Sequence, residues 1–292
     1  MPYKNPIAIT IDNNYVQHAC VMLLSLNANV TERVNVYCIY SDLSDASKNR
    51  ITKELKNTRV TISFVEFNTT ALPQLPVKPN DHVSPTAYLR IWLPLLFAEL
   101  EQILFLDTDI VVNADISYLL NLVVKDKPLA AIPDTGMSAQ KKGGLGMPPD
   151  APYFNSGVMV INLDYFRKHQ LTEEISQFIE QNPGLCEFWD QDALNAVIKG
   201  NFELIDYRYN AQSVFFDDIK HNEVIIKAAK DPAIIHFTGG GYCKPWFYHN
   251  QHPLKHLYYH YLKQTSFKGY LPPDLPRSWR IFRKIKFRLF YR

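Results

Sequence analysis

Short apolar runs alternate with amphipathic stretches along the first half of the chain. The apolar runs predict buried strands at Ile7 to Ile11, Val34 to Tyr40, Val60 to Val65 and Ile103 to Leu106. Apolar residues at helical spacing predict helices at Tyr15 to Leu26, from an N-cap at Ser44 to Leu55, and from Pro85 through Leu89 and Leu93. Strands that alternate with helices are typical of an α/β fold with a mostly parallel central sheet flanked by helices.

The second half of the chain is more mixed. The segment from Asp134 to Pro152 is rich in Gly, Pro and Lys, which predicts a mobile loop or lid. The pattern then predicts strands at Tyr153 to Ile161 and Ala233 to Phe237, and helices at Leu163 to Ile179 in two pieces, Asp190 to Ile198 and Pro253 to Leu262. Since no linker separates two full domains, we predict one domain over residues 1–270 and a helical, basic extension over residues 271–292.

Composition narrows the class of protein. The 292 residues are 47% hydrophobic and 21% charged, ordinary globular values that exclude wholesale disorder. No apolar run approaches the roughly 18 residues of a membrane-spanning helix, and the first residues lack a signal-peptide pattern. The cysteines are scattered without a CxxC pair, which fits reduced thiols better than disulfides or a zinc site. We therefore expect a cytoplasmic protein.

The net charge of +2 hides a strongly basic C-terminus. Residues Arg277 to Arg292 contain five Arg, two Lys and no acidic residue, whereas the remainder carries 24 basic and 29 acidic residues. At helical spacing Ile281, Phe282, Ile285 and Leu289 share one face, opposite most of the cations. This pattern predicts a helix that lies in an anionic membrane surface. RNA binding and a disordered tail are the alternatives; we favour the membrane and expect no nucleic acid.

The triplet Asp107-Thr108-Asp109 is the strongest local signal for chemistry. It follows a wholly apolar predicted strand, so the acids lie at the carboxyl end of that strand, where ligands of parallel sheets bind. Side chains i and i+2 of an extended segment point to the same side, roughly 6.5–7 Å apart. Two carboxylates in that arrangement can hold one divalent cation and leave positions open for phosphate oxygens. A solvated turn at a strand end is the alternative.

A second signal runs from His236 to Trp246. An imidazole at the end of a short strand would add a nitrogen ligand to the two carboxylates, which suits Mn²⁺ better than Mg²⁺. The three glycines after Thr238 let backbone N–H groups approach a diphosphate, and Lys244 can neutralise phosphate charge. A core histidine followed by a simple turn is the alternative.

Two weaker motifs carry polar groups suited to a sugar. In Asp190-Gln191-Asp192 a carboxylate and an amide are placed to steady a developing oxocarbenium ion, although Asp190 as a simple helix cap explains the same residue. Asn155-Ser156-Gly157 places short polar groups at the start of a predicted strand.

A phosphatase of the haloacid-dehalogenase type is a rival interpretation. In that class the first aspartate after a buried strand attacks phosphorus, and the pair Asp217-Asp218 would supply later metal ligands. Two features count against it. Three strand–helix units precede Asp107, and no convincing Lys or Gly-Asp elements lie between the two acidic clusters.

Five motifs in order give the chain a resemblance to a known family. They are Thr10-Ile11-Asp12-Asn13-Asn14-Tyr15, Asp107-Thr108-Asp109, Phe154-Asn155-Ser156-Gly157-Val158, Trp189-Asp190-Gln191-Asp192 and the run from His236 to Trp246. From about Ile7 to Leu262 the chain resembles glycosyltransferase family eight, which includes glycogenin and bacterial lipooligosaccharide galactosyl- and glucosyltransferases. The resemblance implies the GT-A fold and Mn²⁺-dependent transfer of a hexose from a UDP-sugar with retention of anomeric configuration.

The resemblance also implies a role for each matching residue. The first motif, Thr10 to Tyr15, matches the nucleoside site, with uracil and ribose held by Asp12, Asn14 and Tyr15. The metal ligands match Asp107, Asp109 and His236. Arg90 matches a basic residue beside the donor. The positions that hold the sugar are matched by Asp134, by Asn155 with its neighbour Ser156, and by Asp190. Gln191 matches the amide that lies under the anomeric carbon. The diphosphate loop matches Gly239 and Lys244; because two extra residues separate them here, Gly241 is the alternative glycine.

These matches lead to one expectation with several alternatives. We expect a retaining transferase that moves galactose or glucose from UDP to a lipopolysaccharide-type glycolipid, bound peripherally at the inner face of the cell membrane. The alternatives are Mg²⁺ as the cation, a protein or polysaccharide acceptor, and a catalytically silent module that only binds sugar nucleotides. Retention by a covalent intermediate at Asp190 and retention by front-face attack both remain open.

Overall fold

The computed structural model describes residues 3–68, 85–217 and 222–276. The predicted basic tail from Arg277 to Arg292, and Asp218 of the second acidic pair, lie outside the described residues. Among the described helices, none combines the length and the apolar character needed to cross a membrane.

Strands and helices alternate through the described chain largely as the apolar pattern predicts. The strands are β1 (Ile7–Thr10), β2 (Val34–Tyr40), β3 (Val60–Glu66), β4 (Gln102–Leu106), β5 (Ile110–Val112), β6 (Leu129–Pro133), β7 (Phe154–Asn162), β8 (Glu203–Leu204), β9 (Ala211–Gln212) and β10 (Ile234–His236). The helices are α1 (Val16–Asn29), α2 (Asp45–Glu54), α3 (Leu93–Leu96), α4 (Ser117–Asn121), α5 (Ala139–Gly144), α6 (Leu163–Lys168), α7 (Leu171–Gln181), α8 (Trp189–Ile198), α9 (Glu223–Lys230) and α10 (Lys255–Leu262). Short 3₁₀ segments lie at Pro85–Trp92, Tyr207–Asn210, Ser213–Phe216 and Gly241–Cys243.

Seven of the described strands form the central sheet, in the order β3-β2-β1-β4-β7-β6-β8. The pairs β3–β2, β2–β1, β1–β4 and β6–β8 are parallel, and β7 runs antiparallel to both of its neighbours. The predicted α/β fold with a mostly parallel sheet is therefore confirmed. A second sheet has the order β5-β10-β9, with β10 antiparallel to β5 and parallel to β9.

The central strands are largely apolar because both faces of the sheet are covered. In β4, Leu104 and Leu106 pack into the core that contains α1, whereas Ile103 and Phe105 pack into the opposite core with α6 and α7. Alternate side chains of one strand point to opposite faces, so a continuous apolar run supplies both cores. This is why apolar runs in the sequence predict these strands.

Polar residues in the sequence set several helix boundaries. The hydroxyl of Ser44 accepts a hydrogen bond from the Ser47 N–H, as expected of the predicted N-cap. Asp190 does not cap α8, however. Phe188 holds the cap position, and its N–H is bound at 2.7 Å by the carboxylate of Asp192. The simple interpretation of Asp190 as a helix cap is therefore wrong, and another explanation of its burial is needed.

The Gly-rich segment from Asp134 to Pro152 is not a featureless loop. It contains α5, and the Nζ of Lys141 lies 2.9 Å from the fully buried carboxylate of Asp192 in α8. Lys142 donates hydrogen bonds to the carbonyls of Pro149 and Ala151 at 2.9 and 3.0 Å. Lys141 thus ties the segment to α8, whereas Lys142 bonds within the segment, and the mobile lid stays a prediction.

Candidate active site

A pocket of about 460 Å³ opens where the chain leaves the carboxyl ends of β1 and β4. The chain places β2 and β3 on one side of β1 and β4 on the other, so the pocket lies at a point where the strand order reverses, the expected place for a ligand in such a sheet. Sixteen of the predicted site residues line it: Thr10, Ile11, Asp12, Tyr15, Arg90, Asp107, Thr108, Asp109, Asp134, Asn155, Ser156, Asp190, Gln191, His236, Gly239 and Lys244. The pocket lining does not include Asn14 or Gly241.

The two acids and the histidine meet because of strand pairing. Asp107 to Asp109 connects β4 to β5, and the antiparallel register of β5 with β10 pairs Ile110 with His236. The Phe237 N–H donates to the Asp109 carbonyl at 3.1 Å, which fixes the two segments side by side. As a result His236 Nε2 lies 3.2 Å from Asp109 Oδ1 and 3.7 Å from Asp107 Oδ2.

The donor set of this cluster fits a divalent cation. Asp109 Oδ1 is buried and accepts no hydrogen bond from the described residues, although the imidazole nitrogen is close. One ligand atom from each of Asp107, Asp109 and His236 lies within 4.8 Å of the other two. A buried carboxylate oxygen without a donor is costly unless a cation or proton meets it. Two carboxylates and one imidazole are ligands that Mn²⁺ accepts.

Lys244 is bound to the same cluster. Its Nζ pairs with Asp109 Oδ2 and donates to the Phe237 carbonyl at 2.8 Å. Burial alone would raise the pKa of Asp109, but the Lys244 ammonium opposes burial and holds that pKa well below its usual range. Asp109 is therefore ionised in this site, as a metal ligand must be.

The charge balance of the pocket also favours a cation. Its lining includes the carboxylates of Asp12, Asp107, Asp109, Asp134, Glu187 and Asp190, against the permanent cations Arg90 and Lys244. An anionic ligand such as a diphosphate would be repelled by this excess of negative charge. A bound divalent cation removes that repulsion and supplies direct ligands for phosphate oxygens.

Arg90 connects the acidic triplet with α8. Its guanidinium lies 2.9 Å from Asp107 Oδ1 and 3.1 Å from Asp190 Oδ2, and it packs 4.3 Å from the centre of the Phe105 ring. Burial raises the pKa of Asp190 to about 6; Arg90 opposes the rise and Asp107 adds to it. Asp190 Oδ2 is buried and without a hydrogen bond from the described residues, since the Arg90 Nε–H donates to the Ala87 carbonyl. The Asp190 carboxylate is therefore held in the pocket wall by its ion pair with Arg90.

Gln191 is held between the strand motif and Asp134. Its Oε1 accepts hydrogen bonds from Asn155 Nδ2 at 3.1 Å and the Ser156 N–H at 3.0 Å, and its Nε2 donates to Asp134 Oδ2 at 3.2 Å. A carboxylate and two amides from separate parts of the sequence thus converge on one wall of the pocket. Such groups suit the hydroxyls of a sugar.

Gly157 is required by packing against the metal cluster. A Cβ at this position would lie 2.2 Å from His236 Cε1 and 2.7 Å from Asp107 Oδ2, distances that no side chain tolerates. The Gly157 carbonyl also accepts the Asp107 N–H at 2.8 Å. The sequence indicated a glycine near a sugar; in the structure this glycine lets β7 approach the two ligands.

The first motif forms the opposite rim. Asp12 Oδ1 accepts the N–H groups of Asn14 at 2.8 Å and Tyr15 at 3.2 Å, so this carboxylate shapes the turn that leads into α1. The Tyr15 ring packs edge-on against Trp246, with 6.0 Å between ring centres. An aromatic wall and a turn of exposed polar groups are a suitable surface for a flat heterocycle.

The glycine loop of the second motif is shaped by its own backbone conformation and by Asn250, which follows it in the sequence. Gly239 and Gly241 have φ values of 87° and 53°, a left-handed conformation that glycine adopts readily. Asn250 Nδ2 donates to the carbonyls of Tyr242 and Cys243, at 3.0 and 2.8 Å. These hydrogen bonds tie the phosphate-loop candidate to the segment that follows it.

Sequence reasoning missed residues that support the site. Thr86, Ala87, Glu187, Phe188, Trp189, Thr238 and Gly240 also line the pocket. Asn210, which is fully buried, contacts both His236 and Asn155. No local motif marks Asn210, because it reaches the site through the pairing of β9 with β10.

The structure matches a known transferase fold. A galactosyltransferase, LgtC, solved in complex with donor and acceptor sugar analogues, superimposes with a TM-score of 0.78 and 24% identity, over 94% of this chain and 99% of that one. The predicted GT-A fold is confirmed by this likeness.

Sequence comparisons identify the family. The Glycosyl transferase family 8 model matches residues 6–250, and the chain belongs to that family. It is 30% identical over 267 residues to general stress protein A of Bacillus subtilis (strain 168), covering 87% of this chain and 92% of that protein. It is 26% identical over 276 residues to a lipopolysaccharide 1,2-glucosyltransferase of Escherichia coli (strain K12), covering 92% and 80%. Membership of this family excludes the phosphatase alternative.

Proposed function

We propose that this family 8 glycosyltransferase is a retaining hexosyltransferase that moves galactose or glucose from a UDP-sugar to a lipopolysaccharide-type glycolipid. One observation supports this proposal most strongly. The cluster of Asp107, Asp109 and His236 lies in the same pocket as the polar side chains of Asp134, Asn155 and Gln191. The cluster serves a diphosphate through Mn²⁺, with Mg²⁺ as the alternative. The names of two relatives, a lipopolysaccharide glucosyltransferase and a galactosyltransferase, support the hexose and the acceptor class.

Each side of the pocket has one task in this proposal. Asp12 and Tyr15 hold the nucleoside, with Asn14 in the adjoining turn. The cation, when bound, stabilises the negative charge of the leaving diphosphate as a Lewis acid. Lys244 also neutralises charge on the diphosphate when its ammonium group pairs with a phosphate oxygen in place of Asp109.

The other side of the pocket acts on the hexose. The carboxylates of Asp134 and Asp190 accept hydrogen bonds from its hydroxyls, and the amide of Asn155 donates one. Gln191 presents its amide beneath the anomeric carbon, where positive charge develops, and its contacts with Asp134 and Ser156 hold it in place. Its amide is a poor nucleophile, so a covalent route to retention would use Asp190 as the nucleophile. Front-face attack would need neither residue as a nucleophile.

The acceptor and the location are inferred together. A glycolipid is presented at a membrane surface, and a basic, aromatic tail from Arg277 to Arg292 would hold a peripheral enzyme there, at the cytoplasmic face. A protein or polysaccharide acceptor is the alternative for the same donor chemistry.

The direct test is UDP release from separate donors. Purified protein with Mn²⁺ is incubated with UDP-galactose, UDP-glucose or UDP-N-acetylglucosamine, without acceptor. Selective release from one hexose donor is expected, and it names the sugar. Release from none of them, together with no Mn²⁺-dependent UDP binding, would contradict the proposal; binding without release would indicate a silent module.

Asp109→Asn tests the metal part of the proposal. The variant keeps size and fold but removes the charge that a divalent cation needs, so we expect Mn²⁺-dependent UDP release to disappear while the circular dichroism spectrum is unchanged. Asp126→Asn, in an exposed loop, is the matched control and should behave as wild type. Full activity of Asp109→Asn would remove the metal assignment.

A further inference from the structure

A chain of buried side-chain amides leads from Gln191 to His236. Asn155 Nδ2 donates to Gln191 Oε1 at 3.1 Å, Asn210 Nδ2 donates to Asn155 Oδ1 at 2.9 Å, and Asn210 Oδ1 lies 2.8 Å from His236 Nδ1. Asn210 is 0% exposed and lies outside the pocket lining, so it has no direct access to a ligand.

We propose that Asn210 is a positioning residue that keeps the proton of His236 on Nδ1, so that the lone pair of Nε2 faces Asp107 and Asp109. The proposal rests on the metal site of the proposed function, since the oriented lone pair is what a cation would use. The role is distinct from that of Asp107, Asp109 and His236, which would touch the cation themselves.

The direction of each amide is fixed by groups that have only one role. The backbone N–H of Ser156 can only donate, and so it sets which end of the Gln191 amide is oxygen. The backbone N–H of Gly157 donates to Asn155 Oδ1 at 3.1 Å and sets the Asn155 amide in the same way. Because Asn155 Oδ1 is an acceptor, the Asn210 atom facing it is Nδ2, and the Asn210 oxygen must face His236.

This orientation decides the tautomer of the imidazole. An amide oxygen 2.8 Å from Nδ1 requires a proton on Nδ1, and a neutral imidazole then has a lone pair on Nε2. That lone pair faces Asp109 Oδ1, the buried oxygen without a hydrogen bond. The lone pair of Nε2, Asp109 Oδ1 and Asp107 Oδ2 therefore face one another. None of these three atoms carries a proton, so a cation can stabilise the arrangement and a hydrogen bond among them cannot.

Without Asn210 the opposite tautomer would be favoured. Two carboxylates lie 3.2 and 3.7 Å from Nε2 and would attract a proton to that nitrogen. A proton on Nε2 would occupy the position of the cation and would have to be displaced before metal binding. An acceptor at Nδ1 is therefore needed on the far side of the ring, the arrangement by which other metal-binding histidines are oriented.

The fold delivers Asn210 to this place. It ends the 3₁₀ segment Tyr207–Asn210 and immediately precedes β9, whose parallel register with β10 pairs Gln212 with His236. Its position relative to the imidazole is thus set by backbone pairing and not by a flexible loop.

The tautomer is measured directly in the metal-free protein. Long-range ¹H–¹⁵N spectra of histidine-labelled full-length chain are recorded where imidazole is neutral, and the His236 signals are identified by their loss in His236→Gln. For wild type we expect a protonated Nδ1 and an unprotonated Nε2. The opposite pattern would overturn the proposal, whatever the enzyme's activity.

Variants of Asn210 separate its contact to His236 from its contact to Asn155. Asn210→Leu removes both, so we expect the proton to move to Nε2 and Mn²⁺ affinity, titrated by electron paramagnetic resonance, to fall about 10–100-fold. Asn210→Asp keeps an acceptor for Nδ1–H but not the donor to Asn155, and should retain the wild-type tautomer and Mn²⁺ affinity. Equal losses in the two variants would place the role at Asn155 and overturn the proposal.

A matched control separates orientation from loss of a buried amide. Asn5 is also buried, and its Nδ2 donates to the carbonyls of Leu119 and Leu122, far from His236 in the sequence and fold. Asn5→Leu should lower stability without changing the His236 spectrum or Mn²⁺ affinity. If Asn210→Leu does not fold, Asn210→Asp and wild type still decide the tautomer. Should wild type bind no Mn²⁺, the proposed metal fails while the spectra still test Asn210.

Discussion

At the scale of single residues, the site depends on close approach as much as on functional groups. Gly157 illustrates this, since its missing side chain allows β7 to lie against Asp107 and His236. The sequence indicated this glycine only as one part of a polar motif. Its steric role could not be predicted, because the residues it contacts come from β4 and β10.

Gly157→Ala is expected to damage the metal cluster. A methyl group would overlap His236 Cε1 and Asp107 Oδ2, and the resulting shifts should cost about 1–3 kcal/mol of unfolding free energy. Because both neighbours are proposed ligands, Mn²⁺ affinity should also fall about 10–100-fold. Gly143→Ala in α5, where an added Cβ meets nothing within 4 Å, is the control and should leave Mn²⁺ affinity unchanged. Unaltered Mn²⁺ binding by Gly157→Ala would show that the cluster is not a metal site.

Gln191→Ala tests the amide placed beneath the anomeric carbon. We expect kcat for UDP-sugar cleavage to fall on the order of 10²-fold, the effect of removing one stabilising group for transition-state charge. UDP affinity, measured by calorimetry, should change much less because the nucleoside lies at the opposite rim. Gln181→Ala, on the exposed end of α7, is the matched control. An unchanged kcat would remove Gln191 from the mechanism.

Among these residues, short-range motifs could be found from sequence and long-range support could not. The acidic triplet and His236 were recognisable because residue type and position after a strand both indicate chemistry. Arg90 entered only through the family resemblance, and its ion pairs with Asp107 and Asp190 follow from the packing of the Pro85–Trp92 segment. Neither a local motif nor the family resemblance marked Asn210.

At the scale of elements, apolar runs predicted β1 to β4 and β7 of the central sheet, missed β6, and did not predict the order of the strands. Both cores take apolar residues from β1, β2 and β4, so these largely apolar runs clearly indicated strands. The short strands β5, β8 and β9 have two or three residues each, too few for a periodic pattern. The antiparallel direction of β7 leaves no mark on its composition, because a strand buried on both faces is apolar in either direction.

An acidic clamp fastens the last described segment to the phosphate-loop side of the body. Asp274 accepts the backbone N–H groups of Tyr248 and His249 and contacts the His249 ring at 2.9 Å. Burial would raise the pKa of Asp274, but these hydrogen bonds dominate and lower it from 3.8 to about 2. The folded state therefore favours the ionised carboxylate.

The clamp should make stability depend on pH in a defined window. A carboxyl group whose pKa is lowered on folding contributes stability above its unfolded pKa, and this contribution is lost as pH falls towards the folded value. We expect Asp274→Asn to lose about 1–3 kcal/mol at neutral pH, and the gap to wild type to close between pH 3.8 and about 2. Urea unfolding across this range measures it.

The control for this prediction is Asp231→Asn. Asp231 pairs with Arg208 at 2.8 Å but its side chain is 76% exposed, so the change should cost less than about 1 kcal/mol. A stability gap between wild type and Asp274→Asn that persists unchanged at the acidic end of the window would show that the carboxylate charge is not the cause.

At the scale of the whole molecule, the last described segment is bound to the stretch that follows the phosphate-loop candidate. Asp274 binds the segment that follows the phosphate-loop candidate, and the tail begins at Arg277, three residues later. A tail that binds a membrane from this point would bring the same end of the molecule close to lipid. The proposed glycolipid acceptor requires such an approach to a membrane, whereas a polymer or protein acceptor does not.

Removal of residues 277–292 tests this arrangement. The truncated protein should no longer sediment with vesicles that contain anionic lipid, while UDP release from the preferred donor without acceptor is retained, since no pocket residue is removed. Each cation near an anionic surface contributes about 1 kcal/mol, so replacing Arg280, Arg283 and Arg288 with Gln should weaken vesicle binding by roughly 100-fold. Neutral vesicles should bind both forms weakly. Unchanged binding of the truncated protein would show that another surface is the anchor, and tighter binding of single-stranded RNA than of vesicles by the full chain would favour the nucleic-acid alternative.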